Sequence, residues 1–300
     1  MVGLTVSRLD FGNFMQGLRM SAPKTSMISA ALRIDSTRQV LDRLERGGPT
    51  KLGRLHINGL LDYYEATPEQ RSEALRLWEE IREQDKAARA QGNSKGFWKA
   101  YSDQVAPNFE KFLRLEGAAE AVTAFQPVIV PGLLQTPEYR RAIIRIDHPD
   151  LSAVDTERLL ELTERRQTRL SETGFRLEAF ISEAVLRNHP CDPETMLEQL
   201  RHLTEIGERE NVSIRVIPFS VGPHKGLTIQ VFTLLRLPKG ASGMVLPPLV
   251  YAEGAVGSVF HEHGDEVSQY EQAIDGLRAV ALSEEDTRDL VLRAAKEYSA

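Results

Sequence analysis

An all-α N-terminal domain followed by a larger α+β domain with one sheet of about five strands is the fold class that this 300-residue chain predicts. Three observations carry it. Apolar residues in the first 65 positions recur at helical spacing, in short runs separated by Gly and Pro. Beyond residue 120, helical periods mix with short apolar runs of strand length. Charge divides the chain as well: residues 1–60 hold nine Lys/Arg against four Asp/Glu, whereas the whole chain carries −6. A small basic module on an acidic body suits local docking on phosphate, not a nucleic-acid coat over the whole surface.

Composition narrows the class further. A hydrophobic content of 41% and a charged content of 27% are those of a globular protein of about two domains. No apolar run approaches the ~18 residues of a membrane span. The N-terminus, MVGLTVSRLDFGNF, lacks the basic start and apolar core of a secretion signal. The single Cys191 cannot form an internal disulfide, which fits a reducing cytoplasm, and nothing near it in sequence supplies a base to make it a nucleophile.

Element by element, residues 7–20 predict a first helix with Leu9, Phe14 and Leu18 inward. Residues 25–33 predict a second, with Ile28, Ala31 and Leu32 inward. Asp35 or Ser36 caps a third that runs to about residue 46. Its apolar stripe is Val40, Leu41 and Leu44, which leaves Thr37, Arg38, Gln39, Asp42 and Arg43 outside. Gly47-Gly48-Pro49 ends it with a left-handed cap and a residue that cannot continue the helix. A fourth helix spans 55–64, with Leu55, Leu60, Leu61 and Tyr64 available for packing. The second and third helices have the spacing of a helix-turn-helix. A long amphipathic helix over 70–90, with Leu75, Trp78 and Ile81 on one side, ends at Gln91-Gly92-Asn93-Ser94. The boundaries expected are therefore a first domain at 1–68, a helical linker at 69–94 and a second domain at 95–300.

The second domain opens with Phe97, Trp98, Tyr101, Phe109 and Phe112, whose helical spacing points to core packing, not base stacking, in a helix completed at 116–121. The stretch FQPVIVPGLLQTPEYRRAIIR (125–145) comes next. It reads as a short buried strand at 128–130, a turn at Pro131-Gly132, and a helix with Thr136 as N-cap and Pro137 in its first turn. Tyr139, Ala142, Ile143 and Ile144 give that helix a buried face, and Arg140, Arg141 and Arg145 a wet one. Further helices are expected at 154–170, 196–208, 266–281 and after Ser283, and strands at 175–181, 212–219, 227–235, 249–253 and 255–260.

Few side-chain constellations carry chemistry. VFHEHGDE places His261 and His263 on one strand face near Asp265, but no Cys joins them and no metal site is expected. Glu183, Arg187, Arg215, His224 and Glu253 are candidate ligand contacts, with structural ion pairing as the alternative. The basic loop GPHKG (222–226) lacks the following helix of a P-loop. No serine elbow, HExxH, dinucleotide fingerprint or paired-carboxylate signature is present, so neither an enzyme nor a cofactor is expected.

The run IDSTRQVLDRLERGGP resembles the recognition helix of Xre-type, lambda-repressor-like regulators, its LDRLERG ending being similar to their apolar-x-Arg-apolar-Glu-x-Gly tail. LLDYYEATPEQR is similar to the helix and loop after that motif in actinobacterial members. YSDQVAPNFEKFLRLEGAAEAVTAFQPVIVPGLLQTPEYRRAI looks like the opening of the domain of unknown function attached to those regulators. LVYAEGAVGSVF and YEQAIDGLRAVALSEEDTRDLV look like its end. Over nearly its whole length the chain thus resembles the WhiJ-like, antitoxin-like transcriptional regulators. It departs from them at Ala22-Pro23-Lys24-Thr25, which stands where they have Gly-Leu-Ser/Thr-Gln, and at Arg33, which replaces a small residue.

The resemblance implies a third helix lying in the major groove, with Arg38, Gln39 and Arg43 at base edges. The chemistry suits them, since Arg can donate twice to guanine and Gln can pair bidentately with adenine. Thr37, Arg46, Lys51 and Arg54 are expected at phosphates. Asp42 opposes DNA unless it holds Arg38 or Arg46. The expected protein is a cytoplasmic transcriptional regulator, a homodimer on double-stranded DNA with no membrane association. Its second domain senses a small-molecule effector or a small partner protein. The alternative is an antitoxin-like interaction module that no longer binds DNA.

Overall fold

The computed structural model describes residues 2–23, 25–90, 101, 107–254 and 257–298. Residues 91–94, expected to end the long helix, and Phe97 and Trp98 lie outside the described residues. The chain forms two compact units, Met1–Phe97 with Leu237–Leu246 and Trp98–Arg236 with Pro247–Ala300.

The first unit is helical: α1 (Val2–Ser21), α2 (Met27–Arg33), α3 (Arg38–Glu45), α4 (Arg54–Tyr63) and α5 (Pro68–Ala90). The core gathers Phe11 and Met15 of α1, Leu41 and Leu44 of α3, and Leu60 and Leu61 of α4. The stretch expected as a linker contributes to the same core, through Ala74, Leu77, Trp78 and Ile81 of α5. An amphipathic helix of 23 residues needs a surface for its apolar stripe, and α1 supplies it, with Phe11 and Trp78 ring centroids 5.6 Å apart. Three residues expected inward face solvent instead: Ile28 (56% exposed), Leu32 (68%) and Leu55 (85%). The inner face of α2 is Ala30 and Ala31, whose small side chains let this seven-residue helix lie close to α3 and α4.

Three helices of this unit stop in the same way. At the end of α3, Gly48 N–H donates to the Arg43 carbonyl (2.7 Å) and Gly47 N–H to that of Leu44 (3.0 Å), with Gly47 at φ +66°. This is the glycine-capped ending that Gly47-Gly48 predicts. At α2 the bonds run from Ser36 to Ala31 (3.0 Å) and from Asp35 to Leu32 (3.2 Å), and at α4 from Ala66 to Leu61 (3.0 Å) and from Glu65 to Asp62 (3.2 Å). There the left-handed residue is not glycine but Asp35 (φ +50°) and Glu65 (φ +54°).

Two buried carboxylates set the geometry of the unit. Glu45, 3% exposed, takes a bidentate pair from Arg19, Nε at 2.7 Å and Nη2 at 2.9 Å, joining the ends of α1 and α3. Asp10, also buried, accepts from the Ser242 N–H (2.8 Å) and Ser242 Oγ (2.5 Å), which pins the Leu237–Leu246 segment into the unit. A Cβ at Gly240 would overlap the Asp10 carboxyl group, so only glycine fits there.

The second unit is built on a mixed sheet of six strands in the order β3-β2-β1-β4-β5-β6, one more than the five expected. The strands are β1 (Ala121–Gln126), β2 (Arg176–Ser182), β3 (Val212–Ile217), β4 (Phe232–Arg236), β5 (Leu249–Gly254) and β6 (Gly257–His261). β1 to β3 run parallel, and β4 to β6 complete the sheet antiparallel. The helices are α6 (Pro107–Glu116), α7 (Pro137–Asp147), α8 (Ala153–Gln167), the short α9 (Ala184–Arg187), α10 (Pro193–Ile206), α11 (Gly264–Val280) and α12 (Glu284–Glu297).

Two expectations shift here. The expected strand at 128–130 is a loop; the strand is β1, just upstream at 121–126, and the helix expected to be completed over 116–121 ends at Glu116. As a central strand β1 is buried on both faces, so it shows no alternation to mark it. The expected strand at 227–235 begins only at Phe232, because His224 Nδ1 accepts from Gly226 N–H (3.1 Å) and folds Lys225–Leu227 into a 3-10 turn.

Phe125 of β1 pairs in register with Phe180 and Phe232, and these three pack with Val267, Ile274 and Leu277 of α11. Val122 and Ala124 alternate with Phe125 and so point to the other face of the sheet.

The loop 130–136 is buried, and side chains satisfy its backbone. Tyr139 Oη accepts from Val130 N–H (3.2 Å), and Gln135 Nε2 donates to Val130 C=O (2.7 Å). Gln167 Nε2 donates to the carbonyls of Gly132 (3.3 Å) and Gln135 (2.7 Å). Gln199 donates to Leu134 C=O (2.8 Å) and accepts from Thr136 N–H (2.7 Å). Thr136 in turn caps α7, as its place before Pro137 predicts.

Two stability measurements check these points. Glu65→Gly removes a left-handed L-residue, which costs ~1–2 kcal/mol, less the extra chain entropy of glycine, so urea unfolding is expected to show a gain of about 0.5–1 kcal/mol. Gln199→Leu leaves a buried N–H and a buried C=O unpaired and is expected to cost about 2–4 kcal/mol at ~1–3 kcal/mol per orphaned group.

Candidate functional site

In the first unit, Thr37 and not the expected Asp35 or Ser36 is the N-cap of α3, its Oγ1 accepting from Val40 N–H at 3.4 Å, because Asp35 and Ser36 are used in the ending of α2. With the inner face of α3 occupied by Leu41, Leu44 and Glu45, the side chains of Arg38, Gln39 and Arg43 are exposed. Among the described residues none of these three has an ion-pair or hydrogen-bond partner for its side chain. Asp42, on the same outward side, is held by Arg46 at 3.1 Å. Arg54 meets Glu79 of α5 at 2.5 Å. Lys51 is exposed on the rim of a cleft of about 670 Å³, with Arg8, Arg82, Lys86 and Arg89 around it and Phe11, Trp78 and Ile81 among its walls. The seven residues expected at DNA thus divide: Arg38, Gln39, Arg43 and Lys51 are unengaged among the described residues, Thr37 caps its own helix, and Arg46 and Arg54 face carboxylates.

The five expected ligand contacts of the second unit do not converge. Glu183 is 3.6 Å from Arg187 and also accepts from Phe219 N–H (2.9 Å), while Arg187 pairs further with Glu297. Arg215 donates to the carbonyls of Leu282 (2.8 Å), Ala281 (3.0 Å) and Arg278 (3.1 Å) and so closes the end of α11. His224 holds its own turn. Glu253 lines a cavity of about 230 Å³ over the sheet.

That cavity lies on the sheet face opposite α11. Its floor includes Val122, Ala124, Leu177, Thr233 and Tyr251. Its walls are Phe109, Phe112 and Glu116 of α6, the 130–135 loop, Arg140 and Ile143 of α7, and Arg166 of α8. Phe112 stacks on Tyr251 with centroids 4.4 Å apart. Glu116 and Arg166 form a buried bidentate pair at 2.7 and 2.9 Å. Burial opposes the Arg166 charge, but Glu116 outweighs it and raises the pKa.

Arg140 is different. Its Nε is buried, and among the described residues it has no hydrogen-bond or ion-pair partner. Burial, and then the charge of Arg166, lower its pKa to about 10, so it remains a cation at neutral pH. Asp147 and Glu253 sit exposed at the margin of the cavity and favour that charge from a distance. Gln135 carries the complementary defect, a buried Oε1 with no partner. The expectation that Arg140 lies on the wet face of its helix is therefore corrected. It stands three residues before Ile143, at the edge of the apolar stripe, and that spacing was the one available hint of its burial. Glu116 and Arg166 are 50 residues apart and carry no local signal of their pairing.

His261 Nδ1 lies 2.9 Å from Glu266 Oε2, and no group of three His, Cys, Asp or Glu side chains suited to a metal ion occurs among the described residues. Burial and Asp192 raise the Cys191 thiol to about 11, so at neutral pH it is protonated. No helix among the described residues is long and apolar enough to cross a membrane.

No curated protein and no solved structure matches the chain. Residues 109–293 match the family model described as a domain of unknown function (DUF5753), a span that runs from the first cavity residue, Phe109, through the whole sheet. On that match, over more than half of its length, the chain belongs to the DUF5753 family.

Proposed function

We propose that the chain is a sequence-specific, DNA-binding transcriptional regulator of the Xre type. In this reading it is a cytoplasmic homodimer on double-stranded DNA, and its second unit senses a small ligand or a small partner protein. The observation that carries it is the outward face of α3, where Arg38, Gln39 and Arg43 stand exposed and unpaired among the described residues, on a helix capped at both ends. Such a face has donors and acceptors free for base edges. The Arg19–Glu45 pair supports the reading, because a recognition helix must be held rigidly by its scaffold. The Asp42–Arg46 pair removes most of the objection that Asp42 raises. Ile28 and Leu32, four residues apart on α2 and exposed, offer an apolar strip for a second copy.

A second reading, an interaction module that does not bind DNA, is favoured by Arg46 and Arg54. Both are expected at phosphates, and both are already committed to carboxylates.

Genome-wide capture of bound DNA with the full chain, followed by mobility shifts on the top site, separates the two. Arg38→Ala is expected to cost ~1–3 kcal/mol and to relax base preference at one position. Lys51→Ala is expected to weaken all sequences alike and to reduce the salt slope by about 1. Capture of no enriched sequence would favour the interaction module.

A further inference from the structure

We propose that the cavity over β1, β4 and β5 binds a small monocarboxylic acid with an aromatic or apolar body and one N–H or O–H donor. The assignment deepens the sensor reading and rests on it for its regulatory meaning, while binding itself is measurable without DNA.

Arg140 is the first argument. A cation drawn half out of water without a counter-charge is costly, and the fold keeps one at the wall of a cavity: Arg140 is half-buried, with its Nε buried and unpaired. The carboxylates nearby do not relieve it. Glu116 is consumed by Arg166, and Asp147 and Glu253 stand exposed at the margin, beyond salt-bridge reach. A guanidinium so placed presents a planar set of N–H donors, and a carboxylate matches that set with two oxygens.

Gln135 is the second argument. Its Nε2 is spent on Val130 C=O at 2.7 Å, which fixes the amide and leaves Oε1 a buried acceptor without a partner, on a residue that lines the same cavity. A ligand that supplies an N–H or O–H satisfies it.

Charge and size narrow the class. One unpaired cation among Glu116, Asp147 and Glu253 accommodates a single negative charge and disfavours a phosphate dianion. A volume of 230 Å³ equals roughly eight waters at ~30 Å³ each, the size of one substituted ring. Phe109, Phe112, Ile143 and Leu177 supply apolar wall for its body.

Calorimetric titration of the full chain with 3-hydroxybenzoate, benzoate and 3-hydroxybenzamide tests the assignment. The hydroxy acid is expected to bind at least tenfold more tightly than its neutral amide and several-fold more tightly than benzoate. Arg140→Met removes the charge at similar length. It is expected to lower 3-hydroxybenzoate affinity at least tenfold while the melting temperature stays level or rises, since a half-buried charge without a partner has been removed. A purely structural arginine would instead lower the melting temperature and leave probe binding intact. If Arg140→Met does not fold, Arg140→Lys decides: it keeps the cation but not the planar fork and is expected to weaken 3-hydroxybenzoate at least threefold. Equal affinity for acid and amide, undiminished binding by the variants, or no probe bound by the wild type because the cavity holds only water would each overturn the proposal. A chain that binds 3-hydroxybenzoate but no DNA keeps this assignment and sinks the regulator reading, and the reverse result sinks this assignment alone.

Discussion

Buried backbone must be hydrogen-bonded, and in the second unit one loop carries that constraint for its surroundings. Residues 130–136 lead into α7 with no more regular structure than a 3-10 turn at Gly132–Leu134, yet Val130, Leu133, Leu134, Gln135 and Thr136 are all buried. Water is excluded there, so side chains must complete the pairing. Tyr139 does so from α7, Gln167 from α8 and Gln199 from α10. Three helices are thereby tied to one loop, and the loop in turn forms part of the cavity wall next to Arg140. A polar network of this kind specifies a single arrangement, because any shift leaves several buried groups unpaired at once.

The first unit uses the same logic with charges. Glu45 is buried on α3 and would be costly alone, and the bidentate Arg19 makes it a joint between α1 and α3. Among the described residues Asp10 takes its hydrogen bonds from Ser242, so a segment more than 200 residues away belongs to the helical unit. Around these fixed points Arg38, Gln39 and Arg43, on the outer side of α3, are exposed and without partners among the described residues. In the second unit, Arg140 Nε and Gln135 Oε1 are buried without partners, on residues that line one cavity.

Much of the local structure was legible in the residues. Thr136-Pro137, Ser283 and Gly47-Gly48 mark helix ends by chemistry that acts over three or four residues, and each cap sits where it was read. Asp42 was expected to hold Arg38 or Arg46, and it holds Arg46 at i+4. Periodicity was less informative where burial is two-sided or where helices are short. It missed β1, and on α2 it placed only Ala31 correctly: Ala30 shares the inner face, where Ile28 and Leu32 were expected.

By itself, then, the sequence determined the class of each unit, the caps at Thr136, Ser283 and Gly47-Gly48, its charge division and the outward residues of α3. These arise from interactions within one turn or one strand, which neighbouring residues specify. Only the tertiary structure decided that Arg140 is drawn inward, that Glu116 meets Arg166, that Glu253 reaches the cavity while Glu183, Arg187, Arg215 and His224 serve other contacts, and that residues 237–246 join the first unit. The physical reason is common to all four. Each depends on where chain segments tens to hundreds of residues apart are brought together, and the desolvation that gives a buried charge its meaning exists only once those segments have packed.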